Sequence, residues 1–238
     1  MAGVHLHHCG DVYLGNIQCM LTRADTAYGL LIEAGCTALY AERINITGGN
    51  SVLVRDARPP SHPPQWLYFS EVLGDSSHSF GWRIEAGCGF NLVNCWASGC
   101  VGGCGVVILP AVDTVALIGC FIMGNAQDGV RLMGGNARSH LRVEGCTIIG
   151  NSSDKSANGA FSGIAIGAGS GGFVVTGNMM YCGPPLQGTG SADWGISIAA
   201  GSSDDFIVSG NLLRPNAKGG VHDESSEAKG KVLAMNVA

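Results

Sequence analysis

Residues 163–181 read GIAIGAGSGGFVVTGNMMY. Within this stretch GIAI, from Gly163, and FVVT, from Phe173, alternate in side-chain character, and MMY follows the pair Gly177 and Asn178. A period of two, rich in β-branched residues and broken by glycine, marks strands. The pattern recurs downstream as GISIA from Gly195 and FIVSGN from Phe206, and upstream as GVRLM with LRVEGC, GVVIL with VALIGC, and GWRIE with FNLVNC. Earlier still, SVLVR opens at Ser51, GLLIE at Gly29 and GVHLH at Gly3, and a degenerate last copy starts at Gly220. The steps between openers are 26, 22, 30, 24, 24, 34, 32 and 25 residues. Near-constant strand cores joined by variable connectors describe a solenoid, in which each unit buries its apolar side only against its neighbours.

Positions +1 and +3 after each opener are apolar in every full coil, from Leu30 and Ile32 to Ile196 and Ile198. The second strand points Val115 and Leu117, Leu141 and Val143, Phe173 and Val175, and Phe206 and Val208 inward. A third short strand follows the corner, through Ile122, Ile148, Met180 and Leu213. The expectation is an all-β chain: a single-stranded, right-handed parallel β-helix of three strands per coil and about eight coils, over residues 1–220. Residues 221–238 would form a terminal turn and C-terminal strand.

At the corner after the second strand stand Cys95, Cys120, Cys146, Asn178 and Asn211. Asparagine suits a tight turn because it tolerates left-handed angles and bonds nearby backbone. At a coil repeat of about 4.8 Å these five would stack as an internal ladder. The run Φ-x-Φ-x-Gly-Asn-x-Φ in FVVTGNMM and FIVSGNLL resembles the parallel β-helix repeat of the pectate-lyase-like superfamily, which holds polysaccharide lyases, hydrolases and bacteriophage tailspikes. That resemblance spans nearly the whole chain and implies architecture; the Asn-Thr-Asp and Gly-His-Gly signatures of polygalacturonases are missing, as is a clear calcium cluster of the lyases. Its tailspike members imply a virion protein, trimeric, contacting host surface polysaccharide either as an adhesin or as a depolymerase. On that reading the chain is the distal part of a longer spike, joined to other particle proteins through residues upstream, and is assembled in the host cytoplasm.

A net charge of −5 and the lack of a basic stripe disfavour a nucleic-acid partner. No apolar run is long enough to span a bilayer, and the first residues lack the features of a secretion signal. Most of the ten cysteines fall on repeat positions, which suits buried, reduced thiols. Cys100 and Cys104 have no further ligands nearby, so neither metal nor cofactor is expected.

Outward places are unusually apolar: Leu31, Leu53 and Val107 on the first strand, and Trp96, Phe121, Met123, Met179, Tyr181 and Leu212 on the third. Either a covering loop or self-association explains them, and a closed homotrimer satisfies the second. Position +4 reads His7, Glu33, Arg55 and Glu85, an ion ladder with Arg55 between two glutamates, or a carboxylate pair around a sugar. Glycan chemistry needs aromatic platforms and paired carboxylates. The long connectors at 151–163 and 182–195 offer Asp154 and Asp193 as catalytic candidates and Tyr181, Trp194 and Asp193 for glycan binding. Each carboxylate has a competing role as a turn residue. Asp204 and Asp205 sit at another corner, as does the proline-stiffened insertion at 57–66.

Overall fold

The computed structural model describes residues 1–22, 24–56, 62–135, 137, 139–154, 161–181, 192–201, 205–213, 216–225 and 229–238. Among these residues twenty strands join one sheet system that winds around a common core, and neighbouring strands belong to successive coils. The first face comprises β1 (Ala2–Leu6), β3 (Tyr28–Ile32), β5 (Asn50–Val54), the starts of β7 (Trp82–Val93) and β9 (Val106–Ile118), then β11 (Val130–Leu132), β14 (Ser162–Ile166), β17 (Trp194–Ile198) and β19 (Gly219–Asp223). The second face comprises the starts of β2 (Gly10–Met20), β4 (Thr37–Thr47) and β6 (Gln65–Asp75), the ends of β7 and β9, then β12 (Leu141–Glu144), β15 (Val174–Thr176), β18 (Ile207–Ser209) and β20 (Val232–Ala234). The ends of β2, β4 and β6 begin the third face, followed by β8 (Trp96–Ser98), β10 (Phe121–Met123), β13 (Thr147–Ile149) and β16 (Met179–Tyr181), with single bridges at Leu212 and Val237. Pairings are parallel, as in β11 with β14 and β12 with β15. The chain is a parallel β-helix.

Register is fixed by the core. Leu30, Val52, Trp82, Val106, Val130, Ile164 and Ile196 stack in one inward column, and Ile32, Val54, Ile84, Ile108, Leu132, Ile166 and Ile198 in the next. None is more than 2% exposed, so each contributes about 1.5–3 kcal/mol through burial. A slip of one residue would turn a whole column into solvent. Phe173 and Phe206 extend the order to aromatic rings, stacked at 4.5 Å with planes 11° apart.

The corner between second and third strands departs from the expectation in one respect. The left-handed residue is the one before the ladder: Gly119, Gly145, Gly177 and Gly210 in later coils, and Asn16, Arg43, Glu71 and Asn94 at the same register earlier. Asn178 and Asn211 are instead buried and bond between coils. The Asn178 Nδ2 donates to the Val143 carbonyl at 2.8 Å and to the Asn211 Oδ1 at 2.9 Å, while its Oδ1 accepts from the Cys146 N–H at 2.9 Å. Asn211 repeats this with the Val175 carbonyl and with Asn236, which extends the ladder one step further. The cysteines play the same part more weakly: the thiols of Cys120 and Cys146 donate to Leu92 and Leu117 carbonyls at 3.3 and 3.4 Å, and that of Cys95 donates to Phe69 at 3.7 Å. A second ladder of the same design stands at the next corner, where Cys100, Asn125 and Asn151 are linked through Oδ1 to N–H bonds of 3.1 and 3.2 Å.

The outward apolar residues of the first and third faces differ in what covers them. Leu31 and Leu53 form a small outer cluster with Phe80 and are almost fully buried, so the chain's own connector covers them. On the third face Trp96, Phe121, Met179, Leu212 and Val237 lie in one column with Leu73 and Thr147, and those five are 36–49% exposed. Met123, Ile149 and Tyr181 form the half-buried column beside it.

Candidate functional site

A trough of about 320 Å³ runs along the outer side of the first face, over the later coils. Its floor is made by four outward places occupied by small residues, Ala165, Gly167, Ser197 and Ala199. Large side chains stand at the same register on either side: Arg131 and Met133 in the coil before, His222 and Glu224 in the coil after. Three coil steps separate the two walls, about 14 Å at the spacing of parallel strands. The volume is that of a ligand cleft.

Each wall is braced. The His222 ring stacks on Trp194 at 4.6 Å with planes 10° apart, and its Nε2 lies 3.1 Å from Glu224 Oε1. Arg131 donates through Nε to Asp128 Oδ2 at 2.5 Å, and its guanidinium lies 5.5 Å from the centre of the Phe161 ring. Asp128 is 2% exposed and also accepts from the Ser162 N–H at 2.6 Å. Burial pushes the Asp128 carboxyl above its usual value, against the opposing pull of Arg131 and that N–H. The wall therefore carries a guanidinium fixed from behind, with apolar and aromatic surface around it. Such a cleft can hold a hydroxyl-rich chain, stacking its ring faces and bonding its hydroxyls.

Of the residues singled out in the sequence, Trp194 backs this trough through His222. Asp193 sits beside it but turns into the corner: it is 7% exposed and paired with Lys218 Nζ at 2.6 Å, and its carbonyl accepts from the N–H of Lys218 at 2.7 Å. Tyr181 closes β16 in register with Ile149 and belongs to the third face. The Asp154 N–H donates to the Ala126 carbonyl at 2.9 Å, at the corner below the second ladder. Asp204, residues 57–61 of the 57–66 insertion, and connector residues 155–160 and 182–191 lie outside the described residues. The trough's His222 and Glu224 were missed because the register past Gly220 was read as degenerate, yet β19 pairs with β17 residue by residue.

The ion ladder is shorter than expected. Arg55 places Nε and Nη2 on Glu33 Oε1 at 2.7 and 2.6 Å, and His5, rather than His7, reaches Oε2 at 2.7 Å. Glu85 pairs with Arg83 on its own strand at 2.6 Å, at the register shift between β7 and β9. Burial raises the Glu33 carboxyl, but Arg55 and His5 together hold it below the usual carboxylate value. Among the described cysteines all are free thiols. Cys36 has Cys9 as its sulfur neighbour at 3.4 Å, and burial pushes its thiol up to about 11.

No protein-family model matches the chain, and no curated protein matches it in sequence. Among solved structures it is similar to the enzymatically active domain of tailspike protein 2 of bacteriophage CBA120, with a TM-score of 0.59 and 16% identity. The match covers 95% of this chain and 38% of that one, so the chain spans well under half the length of that domain. It shares with that domain the parallel β-helix fold.

Proposed function

We propose that the chain is a tailspike-like β-helix of a virion that contacts polysaccharide on the surface of a bacterial host through the first-face trough. The observation that carries this reading is the trough's construction: small residues at four stacked outward places, with braced aromatic and cationic walls at both ends. A solenoid gains nothing in packing from such a gap, whereas an extended chain ligand needs one. Contact rather than cleavage is favoured because, among the described residues, Glu224 is the lone carboxylate lining the trough, and glycoside hydrolysis uses two. Ala165→Phe, on the outward face, should fill the floor and abolish retention of host polysaccharide while leaving the fold intact.

A depolymerase is the second reading, supported by the enzymatic activity named for the similar tailspike domain. Incubation with purified capsule or lipopolysaccharide separates the two: new reducing ends or unsaturated uronic products would establish cleavage, and binding without them would reject it. For assembly, we propose a homotrimer closed through the third face, where Trp96, Phe121, Met179, Leu212 and Val237 present a continuous apolar column. A monomeric mass by light scattering would overturn that assembly.

A further inference from the structure

A second groove, of about 360 Å³, lies on the second face in the earlier coils, away from the trough. It runs between two outward columns. One is Tyr13, Tyr40, Tyr68 and Asn91; the other is Gly15, Glu42, Ser70 and Val93. The tyrosines are 63%, 51% and 37% exposed, an aromatic column that the chain itself leaves in water. Tyr40 and Tyr68 stack at 5.1 Å with planes 9° apart. Past Tyr68 the same column steps down to Asn91 and then Ala116, so the Tyr68 face on that side meets no further ring.

The polar side of the groove is held in place. Glu42 is paired with Arg43 and accepts the Tyr13 hydroxyl, a bond that raises the pKa of that phenol. Arg43 is also bonded to Asn16 Oδ1 at 3.0 Å, which commits this cation to its neighbours. Tyr13 reaches Glu42 by leaning across Gly15: a Cβ there would lie 3.2 Å from its Cε1. The groove thus offers aromatic surface beside a fixed carboxylate, a hydroxyl at Ser70 and an amide at Asn91. The set is rich in acceptors, and among the described residues no uncommitted cation lines it. An anionic ligand would meet the Glu42 charge, and a purely apolar one would strip water from Glu42 and Asn91 without replacing its bonds. A ligand with apolar ring faces and neutral hydroxyl edges satisfies both columns.

We propose that this tyrosine groove is a separate binding site for a neutral saccharide. The inference rests on its own residues and stands or falls apart from the trough. The test is saturation-transfer NMR of the full chain with maltohexaose, mannohexaose and galactohexaose, and with hexagalacturonate as the anionic control. At least one neutral hexasaccharide should bind, lose affinity about tenfold in Tyr40→Ala, and keep it in Tyr40→Phe. Ala165→Phe, which blocks the trough, should leave this binding unchanged. The proposal is overturned if no neutral hexasaccharide binds, if hexagalacturonate binds more tightly, or if Tyr40→Ala binds as the parent does. It is equally overturned if Tyr40→Ala dissociates an oligomer, which would assign the groove to a second copy of the chain.

Discussion

Removing the Asn178 side chain isolates what the internal ladder contributes to the fold. Asn178 is 1% exposed and makes three side-chain bonds of 2.8 to 2.9 Å. In Asn178→Ala the Cys146 N–H loses its partner inside the core and the Val143 carbonyl keeps only its strand pairing to the next coil, while Asn211 Oδ1 keeps its bond from the Asn178 backbone N–H. A buried donor left unpaired costs about 1–3 kcal/mol and a lost second bond about 1 kcal/mol, so the variant should lose about 2–4 kcal/mol. Asn178→Cys should lose about half as much, because a thiol at this register can donate to the carbonyl as Cys146 does to Leu117. The assay is guanidinium unfolding at fixed protein concentration, followed by circular dichroism and tryptophan fluorescence, with outward Thr176→Ala as a control expected to stay within about 0.5 kcal/mol. An Asn178→Ala variant as stable as the control, or Asn178→Cys less stable than Asn178→Ala, would refute the account of the ladder.

Other expectations follow from the corners, the ion pairs and the third face. Gly145 has φ of 61° and open space around its Cα, so Gly145→Ala should cost about 1–2 kcal/mol through backbone strain alone, read as a shifted unfolding midpoint; an unchanged midpoint would contradict it. The folded-state pKa of Glu33 is depressed, so its pairing stabilises the chain at pH above the unfolded carboxyl's value and that stabilisation is lost as pH falls through the folded value. Glu33→Gln should therefore be less stable than the parent at neutral pH, with the difference shrinking on acidification; a gap that widens toward low pH would reverse the sign. Replacing Trp96 and Phe121 together by serine should lower the mass in light scattering to that of a monomer while circular dichroism remains that of the parent.

The inward columns were legible because a period of two admits a single register once one side is apolar, as the burial of Val130 and Leu132 against their neighbours illustrates. The ladder was legible from Gly-Cys and Gly-Asn pairs. Asn236 escaped because Met235, with φ of 52°, stands where the later coils carry glycine. The cover over Leu31 and Leu53 could not be read, since Phe80 falls in a connector whose course no period dictates. The trough and the tyrosine groove are properties of columns rather than of strands. Tyr13, Tyr40 and Tyr68 occupy one register in DVYLGN, ALYAER and LYFSE, a signal present in the repeat but seen only when the coils are stacked.

The proposed binding of bacterial surface polysaccharide in the first-face trough can be measured on a microarray of purified capsular polysaccharides and O-antigens, probed with the parent chain and with Ala165→Phe. The parent should be retained by at least one polysaccharide, and filling the trough should abolish that retention with the fold preserved. Retention by none of them, or equal retention of both chains, would contradict it.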